Sequence, residues 1–488
     1  MTDGGLHARF RDRSAFLPRP DYRLLPFRFT RLDGERYVVT NDVGEHLVVS
    51  RAELWAFARR ELPVTARLYR ELKARHFLFD DESRAALDLL ALKYRTRAAP
   101  IAALTGLHIF VVTLRCDHSC HYCQVSRVTT DRERFDMTRE HADKALALAF
   151  RSPSPSLKLE FQGGESLLNF ELIRHVIDRA TELNRQHGKD LAFVIASNLT
   201  HLDDEILAFS KAHRIYFSTS LDGPADLHDA HRPLRGASSH RAATNGIARI
   251  REALGPDFVS ALMTTTPASL PRVTDIIDEY VRLGFTSIFL RSLSPYGFAI
   301  RTSLVRRYDV DDWVDFYKRG LAHILELNRR GVRLREELTS ILLQKMFLPG
   351  GTSYVDLQSP AGIGIGALVY NYDGNVYASD EGRMLAEMGD RSFCLGSLDG
   401  ETFESVMTND ALLGTLEDTL LESAPMCSDC AFLPFCGADP VFHAATQRDA
   451  VGHKAFSAFC AKQMAVLRHL IALLEDDLDA RRILMGWL

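Results

Sequence analysis

The sequence predicts an α/β fold in which a partial (β/α)6 barrel lies between two smaller domains along the chain. Strand-like apolar runs alternate with amphipathic helical stretches from about residue 107 to residue 328, and this spacing predicts parallel strands joined by helices. Three short extended segments come before that region, and an irregular segment with clustered cysteines comes after it. We therefore predict domains at residues 1–98, 99–330 and 331–488.

The first domain is predicted to resemble a winged helix. Its three extended segments are separated by Asp-Gly and Asn-Asp turn signals; they are Leu25–Phe29, Tyr37–Thr40 and His46–Val49. Ser50 is predicted to cap a helix that ends at Arg59, and a second helix is predicted over Thr65–Arg75. A third helix over residues 81–95 leads to a predicted linker at residues 98–100.

The barrel is predicted from six strands and the helices between them. The strands are Leu107–Leu114, Leu157–Phe161, Ala192–Ala196, Ile215–Ser220, Val259–Thr264 and Ser287–Leu290. The helices are Arg139–Phe150, Glu171–Gln186, Asp203–His213, Ser239–Leu254 and Leu270–Leu283. In such folds the functional loops lie at the carboxyl ends of the strands. In the third domain we predict a hairpin at residues 372–374 and a helix over Phe456–Leu474.

The charge and apolar patterning of the chain limit the kinds of partner that we expect. The 488 residues carry a net charge of −5, which gives no overall basic signature for nucleic acid. The longest apolar run, at residues 101–114, is too short to span a bilayer, and residues 1–16 show no apolar core of a signal peptide. We therefore expect a cytoplasmic protein with neither a nucleic-acid nor a membrane partner. In a reducing compartment, clustered cysteines are metal ligands more often than disulfides.

The first cysteine cluster follows the first predicted barrel strand. Cys116, Cys120 and Cys123 lie on one short loop. A structural zinc site takes four ligands, whereas a four-iron cluster held by three thiolates keeps one iron free for another ligand. The loop therefore predicts an open metal cluster at the end of the barrel at which such folds place their chemistry.

The spacing Cys-x3-Cys-x2-Cys, with Tyr122 before the last cysteine, resembles the signature of the radical S-adenosylmethionine (SAM) enzymes. The resemblance implies a [4Fe–4S] cluster held by the three thiolates, with S-adenosyl-L-methionine on the fourth iron. One electron, from an external donor such as flavodoxin or ferredoxin, then cleaves SAM to a 5′-deoxyadenosyl radical that abstracts hydrogen from the substrate. The protein supplies binding and orientation for this cofactor chemistry.

Motifs at the next strand ends agree with this resemblance. It implies a SAM-binding set that consists of Tyr122, Gly163, Gly164, Glu165, Ser197, Asn198, Ser220, Asp222 and Arg232. Glu165 would contact the amino group, Ser220 and Arg232 the ribose and carboxylate, and Tyr122 the adenine. The alternatives are an ordinary turn at Gly-Gly-Glu, a salt-bridged polar loop after Ser220, and a packed aromatic at Tyr122.

The second cysteine cluster resembles the SPASM domain, which binds auxiliary iron–sulfur clusters. It consists of Cys427, Cys430, Cys436 and Cys460. Three positions that are cysteines in the full pattern are here Ala361, Ser379 and Pro440. In the family these three belong to the first auxiliary cluster, so the resemblance implies one auxiliary [4Fe–4S] cluster on the four remaining cysteines. Zinc stays an alternative because the spacing also suits it.

Two further residues near these positions carry predictions. Asp380 follows Ser379 and aligns with an acid that accepts a proton in sulfatase-maturing relatives; a solvated turn is the alternative. A carboxylate suits that role because a substrate radical that is oxidised by one electron must lose a proton. The eighth cysteine, Cys394, is predicted to be a buried small apolar residue.

The N-terminal domain resembles the winged-helix-like (RRE-like) elements that bind a precursor leader peptide as an added strand. A purely structural role is the alternative. The segments Leu25–Phe29, Leu290–Gly297 and Cys436–Pro440 resemble the HxsB subfamily of the His-Xaa-Ser peptide systems. The resemblance implies radical modification of a ribosomally synthesised precursor peptide (RiPP maturation), with an intrapeptide cross-link. Side-chain oxidation without a cross-link and a non-catalytic, zinc-containing peptide-binding protein are the other candidates.

Overall fold

A computed structural model describes residues 21–80, 85–128, 131–350, 352 and 354–488. Residues 1–16, predicted to lack a signal peptide, and residues 81–84, the predicted start of the third helix, lie outside the described residues. The chain divides into two compact units. The smaller contains the N-terminal part up to Ala99 together with residues 345–351 and 428–435, and the larger contains the rest.

The smaller unit is built on a three-stranded antiparallel sheet. Its elements are β1 (Arg23–Leu24), β2 (Phe27–Asp33), β3 (Arg36–Asn41), β4 (His46–Ser50), α1 (Arg51–Ala58), α2 (Arg67–Ala74), β5 (Leu78–Phe79) and α3 (Ala85–Ala98). Strands β2, β3 and β4 pair in that order, and β1 pairs with β5. Ser50 caps α1, as predicted: its hydroxyl accepts from the Glu53 N–H, and the Glu53 carboxylate accepts from the Ser50 N–H.

Aromatic side chains fill the core of the smaller unit. Tyr22 stacks on Phe57, with ring centres 6.3 Å apart, and meets the edge of Tyr69 at 5.4 Å. The Tyr22 hydroxyl donates to the Phe57 carbonyl at 3.0 Å, so burial leaves it partnered. Arg97, in the last turn of α3, donates to the carbonyls of Lys345 and Pro434 at 3.2 and 2.7 Å. These bonds attach the two later segments to the unit.

The larger unit begins with a parallel sheet. Its first strands are β6 (Leu107–Thr113), β7 (Ser156–Gly163), β8 (Asp190–Ala196), β9 (Tyr216–Ser220), β10 (Val259–Thr264), β11 (Ser287–Ile288) and β12 (Leu290–Arg291). The helices among them are α4 (Arg132–Phe135), α5 (Arg139–Phe150), α6 (Phe170–His187), α7 (Asp204–His213), α8 (Ala225–His231), α9 (Ser239–Ala253) and α10 (Val273–Arg282). Strands β6 to β10 and β12 lie side by side in chain order, all parallel. This confirms the predicted partial barrel.

The sixth predicted strand differs from the prediction. Ser287–Leu290 was expected to be one strand, but it divides into β11 and β12. Strand β12 pairs with β10, whereas β11 pairs with β13 (Arg335–Glu336). The break arises because adjacent residues find partners on two different strands, one of which comes much later in the chain.

The remaining elements extend the sheet and pack around it. They are α11 (Phe298–Arg301), α12 (Val310–Arg329), α13 (Glu337–Phe347), β14 (Ala367–Tyr370), β15 (Asn375–Tyr377), α14 (Asp380–Ala386), β16 (Cys394–Ser397), α15 (Phe403–Met407), α16 (Asp410–Asp418), α17 (Pro440–Gln447), α18 (Ala458–Asp476) and α19 (Leu478–Met485). Strands β14 and β15 form the predicted hairpin, and β14 also pairs in parallel with β6. The described sheet therefore has nine strands, in the order β12-β10-β9-β8-β7-β6-β14-β15-β16.

Strand β6 lies in the middle of this sheet and is covered on both faces. Phe110, Val111 and Val112 are fully buried, as expected for a central parallel strand. His108 is also fully buried; its Nδ1 lies 2.8 Å from the Tyr370 hydroxyl on β14 and its Nε2 lies 3.2 Å from the Thr105 carbonyl. Both ring nitrogens of this buried histidine therefore have a polar neighbour.

Cys394 was predicted to be a buried small apolar residue; it is only partly buried, but it packs against an apolar cluster that includes residues of β6. It is half-buried at the start of β16, with its Sγ 3.7 Å from the Gly396 carbonyl. The irregular pairing between β15 and β16 at this position leaves the thiol at the margin of the core. Among the described residues, no helix is long and apolar enough to cross a membrane.

Candidate active site

The loop of Cys116, Cys120 and Cys123 leaves the carboxyl end of β6 and is held by the neighbouring chain. The Ser119 N–H donates to the Pro233 carbonyl at 2.9 Å, and the Cys123 carbonyl accepts from the Phe298 N–H at 2.8 Å. Loops that follow β9 and β12 therefore fix the cysteine loop. Cys120 is buried and the other two thiols are half-buried.

Arg115 anchors the start of this loop. Its Nε and Nη2 both donate to the Asp136 carboxylate at 2.7 Å, and Nη2 also donates to the Leu168 carbonyl at 3.0 Å. Burial raises the pKa of the Cys120 thiol to about 11. The residues around Cys120 therefore do not favour the thiolate form by themselves. A bound metal would supply the positive charge that stabilises a thiolate.

Sequence reasoning missed the role of Asp117. Among the described residues, the one group of three side chains with possible metal-ligand atoms within 4.8 Å of one another is Cys116, Asp117 and His118. The Asp117 carboxylate accepts from Asn198 Nδ2 at 2.7 Å and lies 2.8 Å from His118 Nδ1 and 3.2 Å from His201 Nε2. Burial would raise the pKa of Asp117, but these hydrogen bonds outweigh it and hold the pKa below its usual range. Asp117 thus joins the cysteine loop to the loop after β8.

Gly163 and Gly164 are required by the backbone that they pass. A Cβ atom on Gly163 would lie 2.0 Å from the Thr113 carbonyl oxygen, and one on Gly164 would lie 2.3 Å from the Arg115 carbonyl oxygen. The Gly164 N–H donates to Thr113 at 2.8 Å, and the Glu165 N–H donates to Arg115 at 2.7 Å. The two glycines thus let this segment approach closely the chain that leads into the cysteine loop.

Glu165 is a buried carboxylate beside this loop. It is fully buried and accepts hydrogen bonds from the Ser197 hydroxyl at 2.7 Å, the Asn198 N–H at 2.7 Å and the Leu167 N–H at 2.9 Å. Burial raises its pKa against these bonds. Within the described part of the chain, Glu165 has no ion-pair partner. A buried carboxylate normally requires a cation, so the site fits the ammonium group of SAM.

A second buried group lies at the end of β9. Asp222 is fully buried and accepts from Arg232 Nε at 2.9 Å and from the Thr264 N–H at 3.2 Å. The Tyr122 hydroxyl also donates to this carboxylate. Burial would raise the pKa of Asp222, but the charge of Arg232 outweighs it and the pKa lies below its usual range. Ser220, the last residue of β9, is half-buried next to this group.

Tyr122 forms part of the same group. The Arg232 guanidinium lies 5.2 Å from the centre of its ring, and the His231 ring meets it edge-on at 6.0 Å. The structure thus brings Tyr122, Asp222 and Arg232 together, and it brings Glu165, Ser197 and Asn198 together beside Cys116. In each group, some of the predicted SAM-binding residues donate hydrogen bonds to the carboxylate of another.

The second cysteine cluster is divided between the units. Cys430 belongs to the smaller unit, and Cys427, Cys436 and Cys460 belong to the larger. All four are half-buried. Cys460 lies in the first turn of α18, where its N–H donates to the Ser457 hydroxyl at 3.1 Å.

The three positions without cysteine have ordinary structural roles. Ala361 is fully buried, and its N–H donates to the Thr419 hydroxyl at 3.3 Å. Ser379 is the N-cap of α14, with its hydroxyl accepting from the Gly382 N–H at 3.0 Å. Pro440 is the first residue of α17. Serine at the N-cap and proline in the first turn are both favoured at helix starts. Ser379 and Pro440 therefore stabilise the starts of their helices, and Ala361 packs in the core.

Asp380 begins α14 and forms an ion pair. Its carboxylate accepts from Arg383 Nη2 at 3.1 Å and from Nε at 3.3 Å. Arg383 is fully buried, and its Nη1 donates to the Val125 carbonyl at 3.1 Å, two residues beyond the cysteine loop. Sequence reasoning missed Arg383, since nothing local marks an arginine for burial.

Comparisons with known proteins agree with this geometry. A model of the radical SAM superfamily matches residues 110–284. The fold is similar to native anSMEcpe with bound AdoMet, with a TM-score of 0.63 at 15% identity, over 77% of this chain and 99% of that one. It is also similar to Streptococcus suis SuiB bound to precursor peptide SuiA, with a TM-score of 0.52 at 13% identity, over 89% and 99% of the two chains.

Curated relatives match over shorter stretches. An uncharacterised protein of Methanocaldococcus jannaschii is 26% identical over 188 residues, which are 38% of this chain and 62% of that protein. The serine-type anaerobic sulfatase-maturating enzyme of Klebsiella aerogenes is 25% identical over 206 residues, 41% of this chain and 49% of that protein. The chain thus spans about half to three fifths of the length of these relatives. The matched part of the chain contains the cysteine loop and the strand ends that carry the predicted SAM-binding set, so the similarity to the radical SAM superfamily falls on the residues of this site.

Proposed function

We propose that the protein is a radical SAM maturase that modifies a ribosomally synthesised precursor peptide. The observation that carries the proposal is the fully buried Glu165 carboxylate, which has no ion-pair partner among the described residues and lies beside a three-cysteine loop at the carboxyl end of a parallel strand. That arrangement offers three thiolates to a cluster and one anionic contact to a cationic ligand next to it. Together they suit a cluster that holds SAM.

Each residue of the site then has a distinct role. Cys116, Cys120 and Cys123 hold the cluster, and Glu165 accepts the SAM ammonium group. Asp222 fixes Arg232, whose remaining N–H groups are directed to the SAM carboxylate, while Ser220 contacts the ribose and Tyr122 forms the wall near the adenine. Gly163, Gly164, Ser197 and Asn198 hold these groups in place. When bound, the cluster and SAM supply a 5′-deoxyadenosyl radical.

The peptide substrate is supported by the fold neighbours, since SuiB is described bound to a precursor peptide. We propose that the N-terminal three-stranded domain (residues 1–98) binds the leader as an added strand. The product is an intrapeptide cross-link in the manner of the HxsB subfamily. Domains at residues 99–330 and 331–488, a cytoplasmic location and an external donor such as flavodoxin or ferredoxin belong to the same proposal.

One auxiliary [4Fe–4S] cluster on Cys427, Cys430, Cys436 and Cys460 completes the proposal. Full ligation by four thiolates leaves no open iron, so this cluster passes electrons or stabilises the fold. Asp380 accepts the proton that a substrate radical must lose on one-electron oxidation. Its ion pair with Arg383 holds this carboxylate in one orientation.

Anaerobic reconstitution followed by co-expression tests the proposal. We expect cleavage of SAM to 5′-deoxyadenosine, and a loss of two hydrogens per linkage in a small peptide encoded beside the gene, measured by mass spectrometry. A C116A variant should abolish both. A protein that contains zinc and cleaves no SAM would contradict the proposal and favour a peptide-binding protein, whereas a gain of oxygen in the peptide would favour oxidation without a cross-link.

A further inference from the structure

A cavity of about 80 Å³ lies in the larger unit, at the carboxyl end of the last barrel strand. One wall is the chain that leaves β12, from Arg291 to Tyr296, and the others come from α12, α14 and α18 and from the start of α17. A volume of this size holds the polar end of one side chain or a few water molecules. The cavity differs from the predicted SAM-binding set, none of whose members lines it.

The cavity and the cysteine loop share one segment of chain. Gly297 follows the cavity wall directly, and a Cβ atom there would lie 2.5 Å from the Cys123 carbonyl oxygen. The next residue, Phe298, donates its N–H to that same carbonyl at 2.8 Å. A molecule in the cavity would therefore lie beside the loop at which the radical is to be formed.

Charges in the cavity do not balance. Asp356, Glu381 and Asp439 line it together with Arg291 and Lys462, so carboxylates outnumber cations by one. Burial, and then the charge of Asp356, raise the pKa of Glu381 to about 8 and that of Asp439 to about 7. A buried charge without a partner is costly, so the third carboxyl group holds its proton near neutral pH, and a bound cation would let it ionise.

The positions of the missing first auxiliary cluster adjoin the same carboxylates. A smaller cavity of about 10 Å³ is lined by Asp356, Glu381 and Asp439 together with Ser379 and Pro440. Two positions that are cluster ligands in the full SPASM pattern thus face these acids here. In this chain, carboxylates therefore lie beside two positions at which the SPASM pattern has cysteine thiolates.

Unpartnered polar atoms provide a second, independent observation. Tyr296, Trp313 and Gln463 line the cavity and are 1%, 2% and 5% exposed. The Tyr296 hydroxyl, the Trp313 Nε1 and the Gln463 Oε1 have no hydrogen-bond partner among the described residues. Buried polar atoms are nearly always paired, so these two N–H or O–H donors and this carbonyl acceptor point to a polar ligand.

Lys462, which lines the cavity, shows how a cationic ligand could be held. Lys462 Nζ donates to the Ser292 hydroxyl at 3.0 Å and lies 5.5 Å from the centre of the Trp313 ring and 5.9 Å from that of Phe459. The walls therefore hold one ammonium group over aromatic faces already. The same kind of surface can take the stem of a second basic side chain.

We infer that this cavity binds a basic side chain of the peptide substrate: a lysine, an arginine or a protonated histidine. The inference rests on the proposed function and adds to it the class of residue that the enzyme selects. The cation offsets the odd carboxylate, and its N–H groups meet the acids and the Gln463 carbonyl. A neighbouring residue of the peptide then lies next to the cysteine loop.

Ligand-detected NMR on the reconstituted full-length protein tests this inference. The probes are the N-acetyl amides of lysine, arginine and histidine, compared with those of glutamine and glutamate. At least one basic amide should bind tenfold or more tightly than the glutamine amide. Glu381→Gln should remove this preference, and Lys462→Met, which leaves a second carboxylate unpaired, should strengthen it.

A matched control is Glu404→Gln, which makes the same change in an exposed carboxylate paired with Arg151 outside the cavity; it should leave binding unchanged. If Glu381→Gln does not fold, Asp356→Asn carries the same expectation. Equal binding of all amides, or tighter binding of the glutamate amide, overturns the inference. SAM cleavage in the same sample separates the two proposals: cleavage without a basic preference overturns this inference alone, and a basic preference without cleavage overturns the proposed function.

Discussion

Asp222 is a buried carboxylate that accepts hydrogen bonds from three different residues. It accepts two hydrogen bonds from Arg232, one from the Tyr122 hydroxyl and one from the Thr264 N–H, and it is fully buried. The Arg232 side chain is 14% exposed. Since each charge is held away from water, each depends on the other.

Asp222→Asn should therefore destabilise the fold strongly. Removing one member of a buried ion pair leaves the other charge uncompensated, which costs about 3–5 kcal/mol. Urea denaturation of the protein and the variant measures this loss. Asp204→Asn is the control because that carboxylate pairs with Arg249 in full exposure, and it should have no measurable effect. Equal midpoints for Asp222→Asn and the native protein would show that the pair contributes nothing.

Gly164 shows at the residue scale how backbone shape determines the site. A side chain there has no space, because the Leu114 and Arg115 carbonyl oxygens would lie 2.5 and 2.3 Å from its Cβ. Backbone atoms cannot move aside as a flexible side chain can. The register between the end of β7 and the cysteine loop depends on this glycine.

Gly164→Ala is expected to cost about 3 kcal/mol, the upper end of what overpacking costs, and to lower the iron bound per chain. Thermal unfolding and iron analysis measure the two effects. Gly414→Ala is the control: nothing lies within 4 Å of a Cβ there, and alanine in the middle of α16 should stabilise by about 0.5–1 kcal/mol. Normal iron content in Gly164→Ala would contradict the expectation.

At the residue scale the sequence predicted the types of side chain at the site better than their connections. The cysteines and Glu165 were recognised because each belongs to a motif of residues that lie close together in the sequence. Asp117 could have been noticed within the cysteine loop, but its partners Asn198 and His201 come from the loop after β8. Connections of this kind depend on how strand ends meet, which no local pattern encodes.

Among the elements, helices were predicted most accurately. The predicted bounds of Arg139–Phe150 agree with α5, because Thr138 provides a cap signal and the apolar period is regular. Strand β14 was not predicted as a partner of β6, and the division between β11 and β12 was also missed. Both depend on pairings between residues far apart in the chain.

Helix α14 depends on its cap. Ser379→Ala removes the hydroxyl that accepts from the Gly382 N–H, and loss of such a cap costs about 1 kcal/mol. Chemical denaturation of the variant measures this cost. Ser379→Thr keeps a hydroxyl acceptor at the cap without adding a charge and should recover most of the stability, whereas an equal loss in both variants would mean that the serine acts in another way.

Strand β6 should make stability depend on pH through His108. Burial lowers the pKa of His108 to about 3, whereas an unfolded histidine titrates near about 6.5. Between these values the unfolded chain binds more protons, so the free energy of unfolding falls as the pH falls from about 6.5 toward 3. The contribution approaches about 1.4 kcal/mol per pH unit.

His108→Gln keeps polar atoms toward Tyr370 and Thr105 and removes the titration. Urea denaturation between pH 7 and the onset of acid unfolding should show a shallower slope in the variant than in the native protein. His323→Gln is the control, since that imidazole is only partly buried and pairs with Asp278 at the surface. Identical slopes in native protein and His108→Gln would show that burial of this imidazole is not maintained in solution.

On the scale of the whole molecule, the two cysteine clusters should be separable. The first belongs to the barrel end, and the second, which follows residue 426 in the chain, is proposed to hold a single auxiliary cluster. We therefore expect about eight irons per chain, as two four-iron clusters.

Cys460→Ala should lower the iron to about four per chain and keep SAM binding, because the hydrogen bonds described for the cysteine loop come from the chain after β8, β9 and β12. Cys116→Ala should lower the iron by a similar amount and abolish SAM binding. Iron analysis with calorimetric titration of SAM distinguishes them. About twelve irons in the native protein, or loss of SAM binding in Cys460→Ala, would contradict a single independent auxiliary cluster.

The pairing of β6 with β14 has a consequence for biosynthesis. His108 and its partner Tyr370 are 262 positions apart, so the strand that leads to the cysteine loop keeps one open edge until most of the chain has left the ribosome. Exposed strand edges pair readily with other chains, and distant contacts form slowly. Iron insertion after the chain is complete would therefore reach a loop whose supporting strand is closed on both sides, and a chain interrupted before residue 370 would be prone to aggregate at that edge.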